Sequence, residues 1–203
     1  MCDGKIVLAL PDWVGPFLEK QDSVFKDIEG RMRLVIELSR LNVEYETGGP
    51  FGAGIFERVG GKLLAVGVNV VIDMSCSLAH AEMMCIGLAQ QKLKTFDLGA
   101  EGLPACELVS STEPCAMCLG AIPWSGVRRL ICGARGRDAC EIGFDEGVKV
   151  PDWADTLKNR GITVLPDVLR KEAREVLIKY KESGGLIYNG RQATFPIKES
   201  NQS

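Results

Sequence analysis

From residue 60 onward the chain alternates short β-like runs with longer helical stretches, and this alternation confines it to a layered α/β domain. Residues 51–57 and 62–71 read as two strands around Gly60-Gly61, a hairpin signal. Residues 105–111, 129–134 and 162–165 supply further strands, which implies a sheet of about five. Helical spacing is expected over 29–44, with Met32, Val35, Ile36 and Ser39 on one stripe, and over 79–93, where alanines and long side chains favour a helix. A short helix over 114–122 is expected to carry Pro114 in its first turn. An amphipathic helix over 169–183 ends at Gly184-Gly185. A length of 203 residues suits one domain. It divides into an irregular N-terminal extension (1–28), a central domain (29–183) and a C-terminal tail (184–203).

Eight cysteines stand against a single histidine. The cysteines sit among apolar neighbours in a chain too large to need disulfide staples. The apolar run at 6–10 is too short for a signal peptide, and no window approaches a membrane span. These features predict a reduced, cytoplasmic protein with free thiols and no membrane association.

Two segments concentrate the chemistry: Ala79-His80-Ala81-Glu82 and Thr112-Glu113-Pro114-Cys115-Ala116-Met117-Cys118. Both fall at expected helix starts. Cys115 and Cys118, three apart, share a helix face, and a helix N-terminus favours the thiolate that a metal requires. Two thiolates and one imidazole suit zinc and leave the fourth tetrahedral position for water, the arrangement of a catalytic site. Glu82 is placed to act on that water as a base that is not a ligand. Taken singly, the parts are weak: a lone Cys-x-x-Cys also fits structural zinc or buried thiols, and a lone histidine at a helix start also fits a polar surface. A structural zinc site would want a fourth ligand, for which Cys132 and Cys140 could be nominated, although Cys132 lies in an apolar strand. Jointly, His-x-Glu followed by Pro-Cys-x-x-Cys is the pattern of zinc deaminases.

On these residues the chain resembles the cytidine-deaminase-like superfamily from about Gly48 to Glu146. The resemblance implies a three-layer α/β/α sandwich with a mixed five-stranded sheet. It implies one catalytic Zn2+ per subunit, held by His80, Cys115 and Cys118. It also implies attack of a metal-activated hydroxide on an amidine carbon, with Glu82 carrying protons to the ring nitrogen and the departing ammonia.

Further motifs narrow the resemblance: Gly48-Gly49-Pro50-Phe51-Gly52, Asn69, the run from Glu113 to Ile122 followed by Trp124, Ile142-Gly143-Phe144-Asp145-Glu146, and the tail Ile187-Tyr188-Asn189. Together they resemble the bacterial guanine deaminases of this fold, a subgroup also associated with ammeline. The implied reaction is guanine to xanthine and ammonia. Glu146, where many members carry Asp, is the implied second carboxylate beside Glu82. Read without the resemblance, Asp145-Glu146 is a solvated turn before Gly147.

The other pocket residues carry two readings each. Asn69 is expected to bind a purine edge, or to close an Asx-type turn. Phe51 would stack on the base or belong to the core. Trp124 is expected as a pocket wall, and the Ala81 backbone N–H as facing the ring. Tyr188 in the tail would close its own site or a neighbour's, or belong to a frayed terminus. The resemblance also implies a homodimer.

Competing functions are an amino-s-triazine such as ammeline, guanosine, and tRNA adenosine. Short basic clusters at Arg128-Arg129 and 135–137 are offset by Asp138, Glu141, Asp145 and Glu146, and the net charge is −3. A phosphate backbone needs a concentrated basic surface, so no nucleic-acid partner is expected and a small nucleobase is. A non-catalytic zinc module would not need Glu82. With one histidine, already a candidate ligand, proton transfer falls to carboxylates.

Overall fold

The computed structural model describes residues 4–190. The elements run α1 (Val14–Leu18), α2 (Ile28–Glu44), β1 (Gly52–Glu57), β2 (Leu63–Val68), α3 (Ala81–Leu93), β3 (Cys106–Thr112), α4 (Ala116–Ser125), β4 (Arg129–Ala134), α5 (Gly136–Ile142), α6 (Trp153–Lys158), β5 (Thr163–Leu165) and α7 (Arg170–Glu182). The sheet order is β2-β1-β3-β4-β5. β1 runs antiparallel to β2 and β3, while β3, β4 and β5 are mutually parallel. This is the mixed five-stranded sheet expected from the sequence.

Both faces of the sheet are covered. β3 and β4 are almost wholly buried, and successive side chains enter opposite cores. Leu108, Leu130 and Cys132 pack with Cys85 of α3 and Ile122 of α4, whereas Val109 and Ile131 pack with Met32 and Val35 of α2. Two glycines let the helices lie directly on the hairpin. A Cβ at Gly52 would stand 2.3 Å from the Val35 carbonyl oxygen of α2, and one at Gly67 would stand 2.1 Å from the Ala81 carbonyl oxygen of α3. α3, the helix that opens the His-x-Glu segment, is thereby seated against β2.

Several boundaries differ from the sequence-based expectation. The helix expected at 114–122 begins at Ala116, because Cys115 is an extended N-cap (ψ 172°), so Pro114 precedes the helix. It continues through Pro123 and stops before Gly126, which adopts φ 82°. α5 and α6 were not anticipated. The N-terminal extension is not a loose appendage. It contains α1, its Val14 is buried, and Trp13 donates to Thr47 Oγ1 at 3.0 Å.

One buried ionic cluster ties that segment to the sheet. Glu107 of β3 is fully buried and pairs with Arg31 of α2 and with Arg129 of β4. Arg31, itself 2% exposed, also donates to the carbonyl oxygens of Phe25 (2.8 Å) and Arg58 (3.2 Å).

Candidate active site

The site forms where α3 and α4 begin. His80 is the extended N-cap of α3 (ψ 154°), and Cys115 holds the same position on α4. Neither side chain makes a capping hydrogen bond, so both are directed elsewhere. They converge: His80 Nδ1 lies 3.5 Å from Cys115 Sγ and 3.6 Å from Cys118 Sγ, and the three donor atoms all lie within 4.8 Å of one another. A nitrogen and a sulfur bound tetrahedrally to one zinc ion would stand about 3.5 Å apart, so the donor set fits that ion.

The electrostatics agree. A hydrogen bond from Cys118 lowers the Cys115 thiol to about 4, with His80 adding to the effect. Cys118 is pushed up, because it holds the proton that Cys115 accepts and because it is buried.

Glu82, in the first turn of α3, is buried beside this cluster. Its Oε1 accepts from Ser110 Oγ at 3.4 Å, and Cys118 Sγ lies 3.5 Å from its Oε2. Burial raises its carboxyl above the usual range, and the Cys115 charge adds to the rise. It is not one of the three clustered donors.

A cavity of about 390 Å3 opens onto the cluster, within the range of small-molecule sites. Glu146 reaches the same cavity from the loop after α5. Burial pushes its carboxyl up to about 7, opposed chiefly by Lys149, whose Nζ stands 3.6 Å away. The solvated-turn reading therefore holds for exposed Asp145, which accepts from Gly147 N at 2.8 Å, and not for Glu146.

The remaining expected residues divide. Asn69, 1% exposed, lines the cavity and also accepts from Val71 N at 3.3 Å through Oδ1, so the Asx-type contact and the pocket position coexist. Phe51 lines the cavity and meets Phe144 edge-on at 5.0 Å. Tyr188 also meets the Phe144 ring edge-on at 5.0 Å and lines the cavity. The tail is pinned there by Asn189, which donates to Gly143 O (2.9 Å) and accepts from Asp145 N (2.8 Å). Residues 188–190 of the tail line the cavity; 191–203, the rest of the expected lid, lies outside the described residues.

Two expectations need correction. Trp124 is 85% exposed and does not line the cavity. It follows buried Ile122 by two residues, about 200° around the helix, which turns it to the outer surface near Val148 and Val150. Ala81 is fully buried in the core with Cys85 and does not line the cavity; His80 and Glu82 form the wall there.

No site role was read from the sequence for Thr112 or Phe144, both inside motifs singled out there, or for Lys149. Thr112 lines the cavity with a buried hydroxyl that has no hydrogen-bond partner. A threonine at a strand end carries no pattern to reveal this. Phe144 was visible within the Gly-Phe-Asp-Glu motif, but its ring position depends on Phe51 and Tyr188, both remote in sequence.

Residues 26–134 match the family described as the cytidine and deoxycytidylate deaminase zinc-binding region. A guanine deaminase of Bacillus subtilis is 38% identical over 115 residues, covering 57% of this chain and 69% of that protein. A solved guanine deaminase from Nitrosomonas europaea superposes with a TM-score of 0.84 at 47% identity, covering 88% of this chain and 97% of that one. A structure of NE0047 in complex with 2,6-diaminopurine superposes with a TM-score of 0.85 at 48% identity, covering 92% of this chain and 98% of that one.

Proposed function

The chain belongs to the cytidine and deoxycytidylate deaminase family, and from that premise we propose that it hydrolyses guanine to xanthine and ammonia. The observation that carries this reading is the pair of buried carboxylates, Glu82 and Glu146, facing one cavity beside the His80–Cys115–Cys118 cluster. The two similar structures, one of a guanine deaminase and one holding a diaminopurine, support a purine as the occupant.

Bound by those three side chains, zinc would act as a Lewis acid and lower the pKa of water to about 7. The chain's own residues do the rest. Glu82 accepts the proton of the attacking water and delivers it to the ring nitrogen beside C2. Glu146, pushed up to about 7 by burial, exchanges near neutrality between a carboxylate that faces Lys149 and an acid that gives its proton to the departing amine. The C–N bond at C2 breaks as the new C2 hydroxyl gives up its remaining proton to Glu82 and becomes the carbonyl; that proton offsets the one lost by Glu146, so both carboxyl groups return to their starting states and the products are xanthine and ammonia. Asn69 binds the purine edge, Phe51 and Phe144 flank the ring, and Tyr188 shuts the cavity against water.

Glu146→Gln is expected to lower kcat by about 10²-fold with a smaller change in KM. A change confined to KM would make Glu146 a binding group.

The substrate is tested by ranking kcat/KM for guanine, ammeline and guanosine on zinc-loaded protein. Guanine is expected first. Guanosine is expected to fail because its ribose meets the Tyr188 cover. Ammeline in first place would move the assignment to amino-s-triazines. The seven described cysteines are free, which supports a reducing, cytoplasmic setting. Among the described residues no helix is long and apolar enough to cross a membrane. The exposed strip of Trp124, Val148 and Val150 would serve a homodimer.

A further inference from the structure

We propose that Lys149 is a positioning residue for the reaction: its ammonium holds the Glu146 carboxylate against the β3–α4 junction, and proton delivery depends on that hold. The inference rests on the deaminase reading of the site.

Among the described residues, no lysine or arginine lines the cavity, although four carboxylate side chains (Glu82, Glu113, Asp145 and Glu146) and Cys115 line it. The balancing charge stands behind the wall. The Lys149 side chain is 15% exposed, and its Nζ lies 3.6 Å from Glu146 Oε2 and donates to the Pro114 carbonyl oxygen at 3.2 Å. These contacts belong to separate segments. Glu146 lies in the loop after α5, and Pro114 immediately precedes Cys115. One ammonium therefore joins the loop bearing the second carboxylate to the turn bearing two metal ligands.

The backbone of that loop is fixed independently, by Ala116 N donating to the Glu146 carbonyl oxygen at 2.9 Å. The side chain is not: Glu146 Oε2 is buried without a hydrogen-bond partner. The attraction of Lys149 is then what sets its direction. In keeping with this, Lys149 is the largest influence opposing the rise caused by burial of Glu146.

Space for the ammonium comes from a missing side chain. A Cβ at Gly136, the first residue of α5, would stand 2.6 Å from Lys149 Nζ, 3.5 Å from Glu113 Oε2 and 3.6 Å from Glu146 Oε2. Gly136 has no positive φ, so its backbone would accept alanine. Its N–H donates to Glu113 Oε2 at 2.9 Å, which brings a second carboxylate to the same point. A side chain at 136 would therefore meet the Lys149 head group and push it aside.

The test uses zinc-loaded full-length protein and guanine. Lys149→Met is expected to keep its zinc and lose kcat by about 10- to 100-fold, with little change in KM. In a Glu146→Gln background the same substitution is expected to cost little more, because its effect passes through Glu146. Gly136→Ala, by crowding the ammonium, is expected to lower kcat without lowering Tm, which a purely structural role would not produce. Unchanged kcat in Lys149→Met, multiplicative losses in the double variant, or loss of zinc would each overturn the proposal. If the wild-type protein fails on guanine, the functional reading falls, and a crystal structure of Lys149→Met still decides this one. A Glu146 carboxylate displaced from its position supports it, and one that stays in place refutes it.

Discussion

Glu82→Gln is expected to retain one zinc ion per subunit and to lose about 10²–10⁴-fold in kcat. The expectation follows from where the carboxylate stands. His80, Cys115 and Cys118 bring their donor atoms together without it, so an isosteric amide leaves the metal set complete. Ser110 Oγ and Cys118 Sγ lie 3.4 and 3.5 Å from its oxygens, contacts that an amide of the same shape can keep or reverse. What glutamine cannot do is accept a proton and return it. Among the described residues, no second imidazole exists to substitute, and Glu146 approaches the cavity from a different loop. Metal analysis and single-turnover kinetics on the same preparation check the claim. Loss of zinc would make Glu82 part of the metal site, and a kcat within a factor of about two of wild type would remove it from proton transfer.

Glu107→Gln is expected to destabilise the fold by about 3–5 kcal/mol. Glu107 is fully buried, Arg31 is 2% exposed, and the Arg129 side chain is 18% exposed. Neutralising the shared carboxylate leaves two guanidinium groups with their desolvation uncompensated. The effect reaches two regions. Arg31 carries the carbonyl oxygens of Phe25 and Arg58, and β3 leads directly from Glu107 to the turn bearing Cys115. Replacing the partners together, Arg31→Met with Glu107→Leu, is expected to cost less than Glu107→Gln alone, since fewer charges are left unpaired. Urea unfolding of both variants measures this. A loss below about 1 kcal/mol for Glu107→Gln would show the cluster to be solvated rather than buried.

The parts of the fold readable from the sequence were those written in local periodicity. β4 occupies the expected residues, and α2, α3 and α7 lie within two residues of expectation at either end. Their apolar spacing records which face meets the sheet. α5 and α6 are seven and six residues long, too short for periodicity to register, and were missed. The N-terminal segment looked irregular because its anchoring is long-range: Trp13 reaches Thr47, and Arg31 reaches Glu107, 76 positions away.

The site divides in the same way. His80, Glu82, Cys115 and Cys118 were legible because helix starts place such residues predictably. Glu146 came from resemblance alone, since its burial depends on a loop path that no local pattern encodes. Trp124 was misplaced because proximity in sequence to the ligand helix does not say which side of the helix a residue occupies. Lys149 shares a carboxylate-spaced turn with Glu146 that reads as ordinary surface until Pro114 and Gly136 are seen beside it.

The most direct test of the central claim is product analysis after incubating the zinc-loaded wild-type protein with guanine. The account predicts catalytic conversion, with xanthine and ammonia released in equal amounts and with turnover abolished by removing the metal and restored by adding zinc. Full zinc occupancy without xanthine formation would contradict it.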